Sequence, residues 1–161
     1  MNIKVVISIS MMLLPFCGLT QTTKNEQSCN VVQNKKNKSM SELNKNVLGG
    51  ELKIASASPL TGFYRNGYCA TGKNDMGTHV VAAVVTEEFL KYSLSKGNDL
   101  ITPNKNYNFP GLKPGDVWCL CVLRWKEALK ANVAPKVILE ATHIQALKYV
   151  TLEDLMKHAN Q

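Results

Sequence analysis

Hydrophobic residues in this chain fall into a few dense runs separated by long polar stretches. The first run, residues 5–16, follows a single positive side chain, Lys4, and leads into Cys17, Gly18 and a polar segment. Residues 21–45 are rich in Lys, Asn, Gln and Ser, with little apolar beyond Val31, Val32, Met40 and Leu43. Between residues 46 and 72, Gly49, Gly50, Pro59, Gly62, Gly67 and Gly72 interrupt the chain so often that only short extended pieces fit, around 51–55 and 63–64. Residues 79–85 (HVVAAVV) then form an unbroken apolar run, the pattern of a strand buried on both faces.

Helical signals follow directly. Thr86 is placed to cap a helix, Glu87 and Glu88 lie in its first turn where the dipole favours them, and Phe89, Leu90 and Leu94 supply an apolar stripe that Gly97 ends. A loop rich in Asn and Pro, residues 98–114, leads to a strand at 117–123. Residues 124–131 (RWKEALKA) read as a second helix with Trp125, Ala128 and Leu129 inward. Pro135 closes the connection, and 137–141 (VILEA) is expected as another strand. A turn or short helix comes after His143, and Thr151, with Asp154 three residues on, opens a last helix in the manner of a capping box. Strands and helices alternate only loosely. The expected fold is α+β (mixed α/β), a single compact domain with a small central sheet and about three helices.

The ends sharpen this picture. An apolar run of about 12 residues is too short to span a bilayer, which needs roughly 20, so residues 1–20 read as a cleaved secretory signal with the mature start near Gln21. The protein is then expected to be periplasmic or secreted, with no transmembrane helix once the signal is removed. The alternative is a lipid anchor on Cys17, with Leu14 three residues upstream. Residues 21–45 cannot bury enough surface to offset their ordering entropy and are expected as a disordered tether, leaving 46–161 as the globular domain.

Charge excludes one class of partner. Of the net +7, residues 1–46 carry six lysines against two glutamates, +4, and the remaining 115 residues thirteen basic against ten acidic side chains, +3. The folded part has no basic stripe interleaved with aromatics, so nucleic acid is not an expected partner.

Candidate chemistry centres on cysteine. Within the domain stand Cys69, Cys119 and Cys121. On a strand, Cys119 and Cys121 share one face about 7 Å apart, while Trp118, Leu120 and Val122 take the other. A direct bridge between the two is sterically poor. Cys69 pairing with one of them, or with Cys29, is feasible, and the spacing does not choose. Cys69, Cys119, Cys121 and His79 would together make a tetrahedral set suited to zinc, although no C-x-x-C is present. Alternatively, Cys119 or Cys121 acts as a nucleophile with His79 or His143 as base and Asp75, Asp99 or Asp116 orienting it. Thr61 and Arg65, in the loop at 59–65, and Asn98 and Asp99, in the loop at 97–103, could with Asp116 bind a small polar ligand. The competing role for Asn98 and Asp99 is to close the helix end and form an Asx-turn.

The strings NVLGG (46–50), PLTGFYRNGYC (59–69), TEEFL (86–90), GNDLITP (97–103), FPGLKPGDVWCLC (109–121), RWKEA (124–128), APKVILEATH (134–143) and LEDLMKHA (152–159) resemble domain-of-unknown-function family 2237. This small bacterial family lacks an assigned biochemistry. The resemblance implies a compact mixed α/β domain and brings no activity, substrate or cofactor. Cys69, Cys119, Cys121, His79 and His143 match its pattern. Ala55 and Ala82 stand where cysteine is common in the family, and Asn66 where Asp is usual. Typical members resemble plain cytoplasmic domains, and export into an oxidising compartment would account for the smaller thiol count here. The leading expectation is an exported ligand- or metal-binding module using the Cys/His cluster. The alternatives are a thiol- or metal-dependent enzyme and a structural or partner-binding domain.

Overall fold

The computed structural model describes residues 44–160, which belong to one compact unit. The expected signal and tether, with Cys17 and Cys29, lie outside the described residues apart from Asn44 and Lys45, which open the described chain.

The apolar run forms strand β1 (His79–Val84), whose inner four residues are buried, as expected for a strand covered on both sides. Thr86 caps helix α1 (Glu87–Ser95), its hydroxyl accepting the Phe89 N–H at 3.1 Å. The long loop then leads to β2 (Val117–Cys121). Helix α2 (Val122–Lys130) begins directly after β2, two residues earlier than the sequence suggests. The Val122 N–H donates to the Thr78 carbonyl and its side chain is fully buried, so this residue turns the chain out of the sheet. A two-residue β3 (Lys136–Val137) and helix α3 (Leu152–Lys157) complete the regular elements. β1 is central in an antiparallel sheet of order β2-β1-β3. With three helices and this three-stranded sheet among the described residues, the fold is the mixed α+β class the sequence implies.

Three local expectations need correction. The strand at 137–141 stops at Val137, and Leu139–Ala141 is a 3-10 turn. The chain stays tied to β1 through Ile138 N–H to Ala82 O at 2.8 Å and His143 N–H to Val80 O at 2.9 Å. Between them the Thr142 hydroxyl accepts the Ala82 N–H and donates to the Ile138 carbonyl, replacing ladder bonds with a side chain. On α1 the inward residues are Phe89, Leu90 and Ser93, whereas Leu94 is 46% exposed. Ser93 is buried because it exchanges two hydrogen bonds with Asn98, closing the helix end. The strand bearing the thiols ends at Cys121 rather than 123.

Two apolar clusters hold the domain together. The larger contains Val80, Val81, Phe89, Trp118, Leu120, Val122, Trp125, Val137 and Leu155, where α1, α2 and α3 meet the sheet. Each such large side chain contributes about 1.5–3 kcal/mol when fully buried. Trp125 also donates its indole N–H to Pro135 O at 3.1 Å, anchoring the α2–β3 connection. The smaller cluster holds Cys69, Ala82, Cys119 and Ala141, with Ala55 and Ile138 against it. The split follows strand alternation: Trp118 and Leu120 join one cluster and Cys119 the other. The irregular segment 44–78 is held to the domain by main-chain bonds such as Val47 N–H to Thr142 O and Lys53 N–H to Glu140 O, both 2.9 Å.

Candidate functional site

A cleft of about 760 Å³ opens between the turn carrying Gly62, Phe63 and Arg65, the loop from Asn98 to Phe109, and the sheet at His79, Trp118 and Cys119. Its other lining residues include Asp99, Leu100, Thr102, Asn104 and Tyr107. Phe63, Tyr107, Phe109 and Trp118 give it aromatic walls, and Arg65, His79 and Asp99 are its basic and acidic side chains.

His79 is positioned by the turn that precedes β1. The Asp75 N–H bonds to Gly72 O, the Thr78 N–H bonds to Asp75 O, and Thr78 takes a left-handed φ of 49° that reverses the chain into the strand. The Asp75 carboxylate has no exposed surface and is fully engaged. Oδ1 meets His79 Nδ1 at 2.6 Å, and Oδ2 accepts the His79 N–H at 2.8 Å and the Thr71 hydroxyl at 2.9 Å. Burial alone would raise the Asp75 pKa, but the His79 main-chain and ring bonds and the Thr71 hydroxyl outweigh it, so the net shift is downward. An ionised carboxylate only accepts hydrogen bonds, so Nδ1 carries the proton between the two, and Nε2 is the ring nitrogen that Asp75 does not engage. The imidazole side chain remains 38% exposed. Phe63 stacks on it at 6.3 Å between centroids and 16° between planes, and Tyr64 meets Phe63 edge-on. Gly77 lies so close to the ring that any Cβ there would collide with it.

The cysteines resolve in one direction. Cys69 and Cys119 form a disulfide, with Cα atoms 5.2 Å apart, and among the described residues Cys121 is the free, half-buried thiol. The expected set of Cys69, Cys119, Cys121 and His79 therefore loses two thiolates to the bridge, and zinc finds no tetrahedral site in it. Among the described residues no group of three or more His, Cys, Asp and Glu side chains is placed to hold a metal ion. The thiol-nucleophile scheme changes for the same reason, since Cys119 has no free thiol. Cys121 is the cross-strand partner of His79 in the β1–β2 register, yet it does not line the cleft and makes no hydrogen bond to that ring. His143 is fully buried, and its Nδ1 accepts the Gln145 N–H at the start of a 3-10 turn (Ile144–Lys148), away from the cleft lining.

The polar candidates divide. Arg65, Asn98 and Asp99 line the cleft. Thr61 does not: it is fully buried, and its hydroxyl accepts the Cys119 N–H at 2.8 Å, fixing the strand residue that carries the disulfide. Asp116 also falls outside, closing a turn by accepting the Lys113 N–H at 2.8 Å. Asn98 is committed to Ser93, and Asp99 forms the Asx-turn, its Oδ1 accepting the Ile101 and Thr102 N–H groups at 2.9 Å. A hydrogen bond from the Thr102 side chain, followed by these two main-chain bonds, lowers the Asp99 pKa. The aromatic walls are not among the residues that sequence patterning singles out. Their signal was present in Phe63 and Tyr64 inside a Gly-rich turn and Tyr107 in a long polar loop, where core packing does not call for aromatics.

Among the described residues no helix is long and apolar enough to cross a membrane. No curated protein matches the chain. A family model described as "Uncharacterized protein conserved in bacteria (DUF2237)" matches residues 45–159, which includes every cleft residue, and the chain belongs to that family.

Proposed function

We propose that this domain is an exported small-molecule-binding module whose ligand occupies the cleft beside His79. The observation that carries the reading is the Asp75–His79 pair. A buried carboxylate is costly unless its lone pairs are filled. Here the donors serve chiefly to hold one imidazole at the wall of a cleft of small-molecule size. The main-chain bond from His79 and the Thr71 hydroxyl would suffice for a structural turn. The additional ring bond fixes Nδ1 as a donor and leaves Nε2 for a ligand hydroxyl or amide. Export is supported by the Cys69–Cys119 disulfide, a bond that persists in oxidising compartments.

The same pair favours a second reading, an enzyme with His79 as general acid–base and Asp75 as its orienting group. The attacking group would then be water or part of the ligand, because neither Cys119 nor Cys121 offers a thiol to the cleft.

The test is a fragment library titrated at millimolar concentrations, read by NMR at the His79 ring and the Trp118 indole. Fragments that use the cleft shift both signals together, and His79→Ala weakens them. A library that moves neither signal refutes the reading. Turnover of a bound fragment that is lost in His79→Gln while binding persists would promote the enzyme reading over the binding module.

A further inference from the structure

We infer that the ligand of this cleft carries an oxyanion, a carboxylate or phosphate, on a flat ring, and that Arg65 is its anchoring cation. This rests on the reading that the cleft binds a small molecule, and it names the class of that molecule.

The backbone at Arg65 is the first observation. Its φ is 51°, in the left-handed region where Gly and Asn are at ease and a long side chain gains nothing. Arginine at such a position points to a use for its side chain. The second observation is where that side chain goes. Its guanidinium lies 4.8 Å from the centroid of the Trp118 ring, and it donates to Gly62 O at 3.2 Å and Tyr107 O at 3.3 Å. Both acceptors are neutral carbonyls. Two of five N–H donors are used, which leaves three for a ligand.

Counter-charge is the third observation. Among the described residues Arg65 forms no ion pair, and burial lowers its pKa with no carboxylate to offset the cost. Asp99 is the acidic side chain in the cleft lining, and its carboxylate is held by the Ile101 and Thr102 amides. A partly desolvated guanidinium that keeps free donors is completed by a planar oxyanion, which it can bind with two parallel hydrogen bonds. The flat body follows from the walls: Phe63, Tyr107, Phe109 and Trp118 present ring faces and edges to the same space.

The experiment compares three probes of one shape on the full chain: 2-naphthoate, 2-naphthyl phosphate and neutral 2-naphthamide, with affinities read from the Trp118 indole signal. The two anions are expected to bind about tenfold or more tighter than the amide, as a charge-assisted contact supplies. Whichever anion binds tighter identifies the oxyanion. Arg65→Asn suits the positive φ and removes the charge, so it should bring the affinity of both anions down to that of the amide measured on the same variant. Arg65→Lys, which keeps the charge without the two-pronged geometry, should fall between. Equal affinities for anion and amide, or a preference that survives in Arg65→Asn, overturn the anion inference and leave the cleft reading intact. Failure of all three probes to move Trp118 overturns the cleft reading and this inference with it.

Discussion

Replacing Cys69 and Cys119 together with alanine opens a covalent closure across 50 residues of sequence, a span that contains all of β1 and α1. In the chain-entropy account, a closure of that length removes about 14 cal/mol/K from the unfolded chain, worth about 4 kcal/mol at 25 °C. Both sulfurs sit in a fully buried cluster, so their loss adds a small packing cost. With an unfolding entropy of about 2.1 cal/mol/K per residue, a domain of this size should lose about 15 °C in Tm. Urea unfolding followed by tryptophan fluorescence measures the effect. The midpoint should fall and the m-value should rise, because the unfolded chain without its cross-link exposes more surface. A loss below about 1 kcal/mol with an unchanged m-value would show that the bridge does not constrain the unfolded chain, and the entropic reasoning would be wrong.

The remaining predictions concern the site and its supports. Asp75→Asn should destabilise the protein by about 1–3 kcal/mol at neutral pH by weakening the bonds to His79 and Thr71. The Asp75 pKa is lowered on folding, so its stabilisation is complete above the ordinary carboxyl value of 3.8 and fades as pH falls below it. Melting curves of both proteins should therefore converge in acid, and a gap that stays constant through that range would contradict the assigned carboxylate role. Thr61→Val leaves the buried Cys119 N–H without its acceptor and should cost about 1–3 kcal/mol in chemical denaturation; a neutral effect would mean that the amide finds another partner. Gly77→Ala forces a methyl group into the space of the His79 ring. It should shift the His79 NMR signals and cost about 1–3 kcal/mol in thermal stability, and unchanged ring signals would refute the packing described.

The regular core was legible because its signals are local. An unbroken apolar run demands burial on both faces, and residues 79–84 obtain it as the central strand. Thr86 and Thr151 announce helix starts because a cap is satisfied by an N–H three residues away, as Phe89 and Asp154 provide. Alternation along β2 was enough to separate Cys119 from Trp118 and Leu120 before any partner was known. The Asx-turn at Asp99 likewise needs only its own next three residues.

What joins distant parts of the chain had to await the tertiary structure. Cys69 could have met either strand thiol, and the choice of Cys119 depends on how the irregular segment before β1 lies across the sheet. Thr61 reads as a loop hydroxyl open to a ligand, yet folding buries it against an N–H 58 residues away. Asp75 is one of three acids, with Asp99 and Asp116, that the sequence offers to orient His79. A reversal at Thr78 turns it onto the ring, while Asp116 is held in its own turn. Arg65 acquires its meaning only when Trp118 and Tyr107 come under and beside it from the far side of a long loop. Periodicity and capping are encoded within a few residues, whereas disulfide partner, buried acceptor and cleft wall are each set by contacts between segments far apart in sequence, which the folded backbone alone brings within bonding distance.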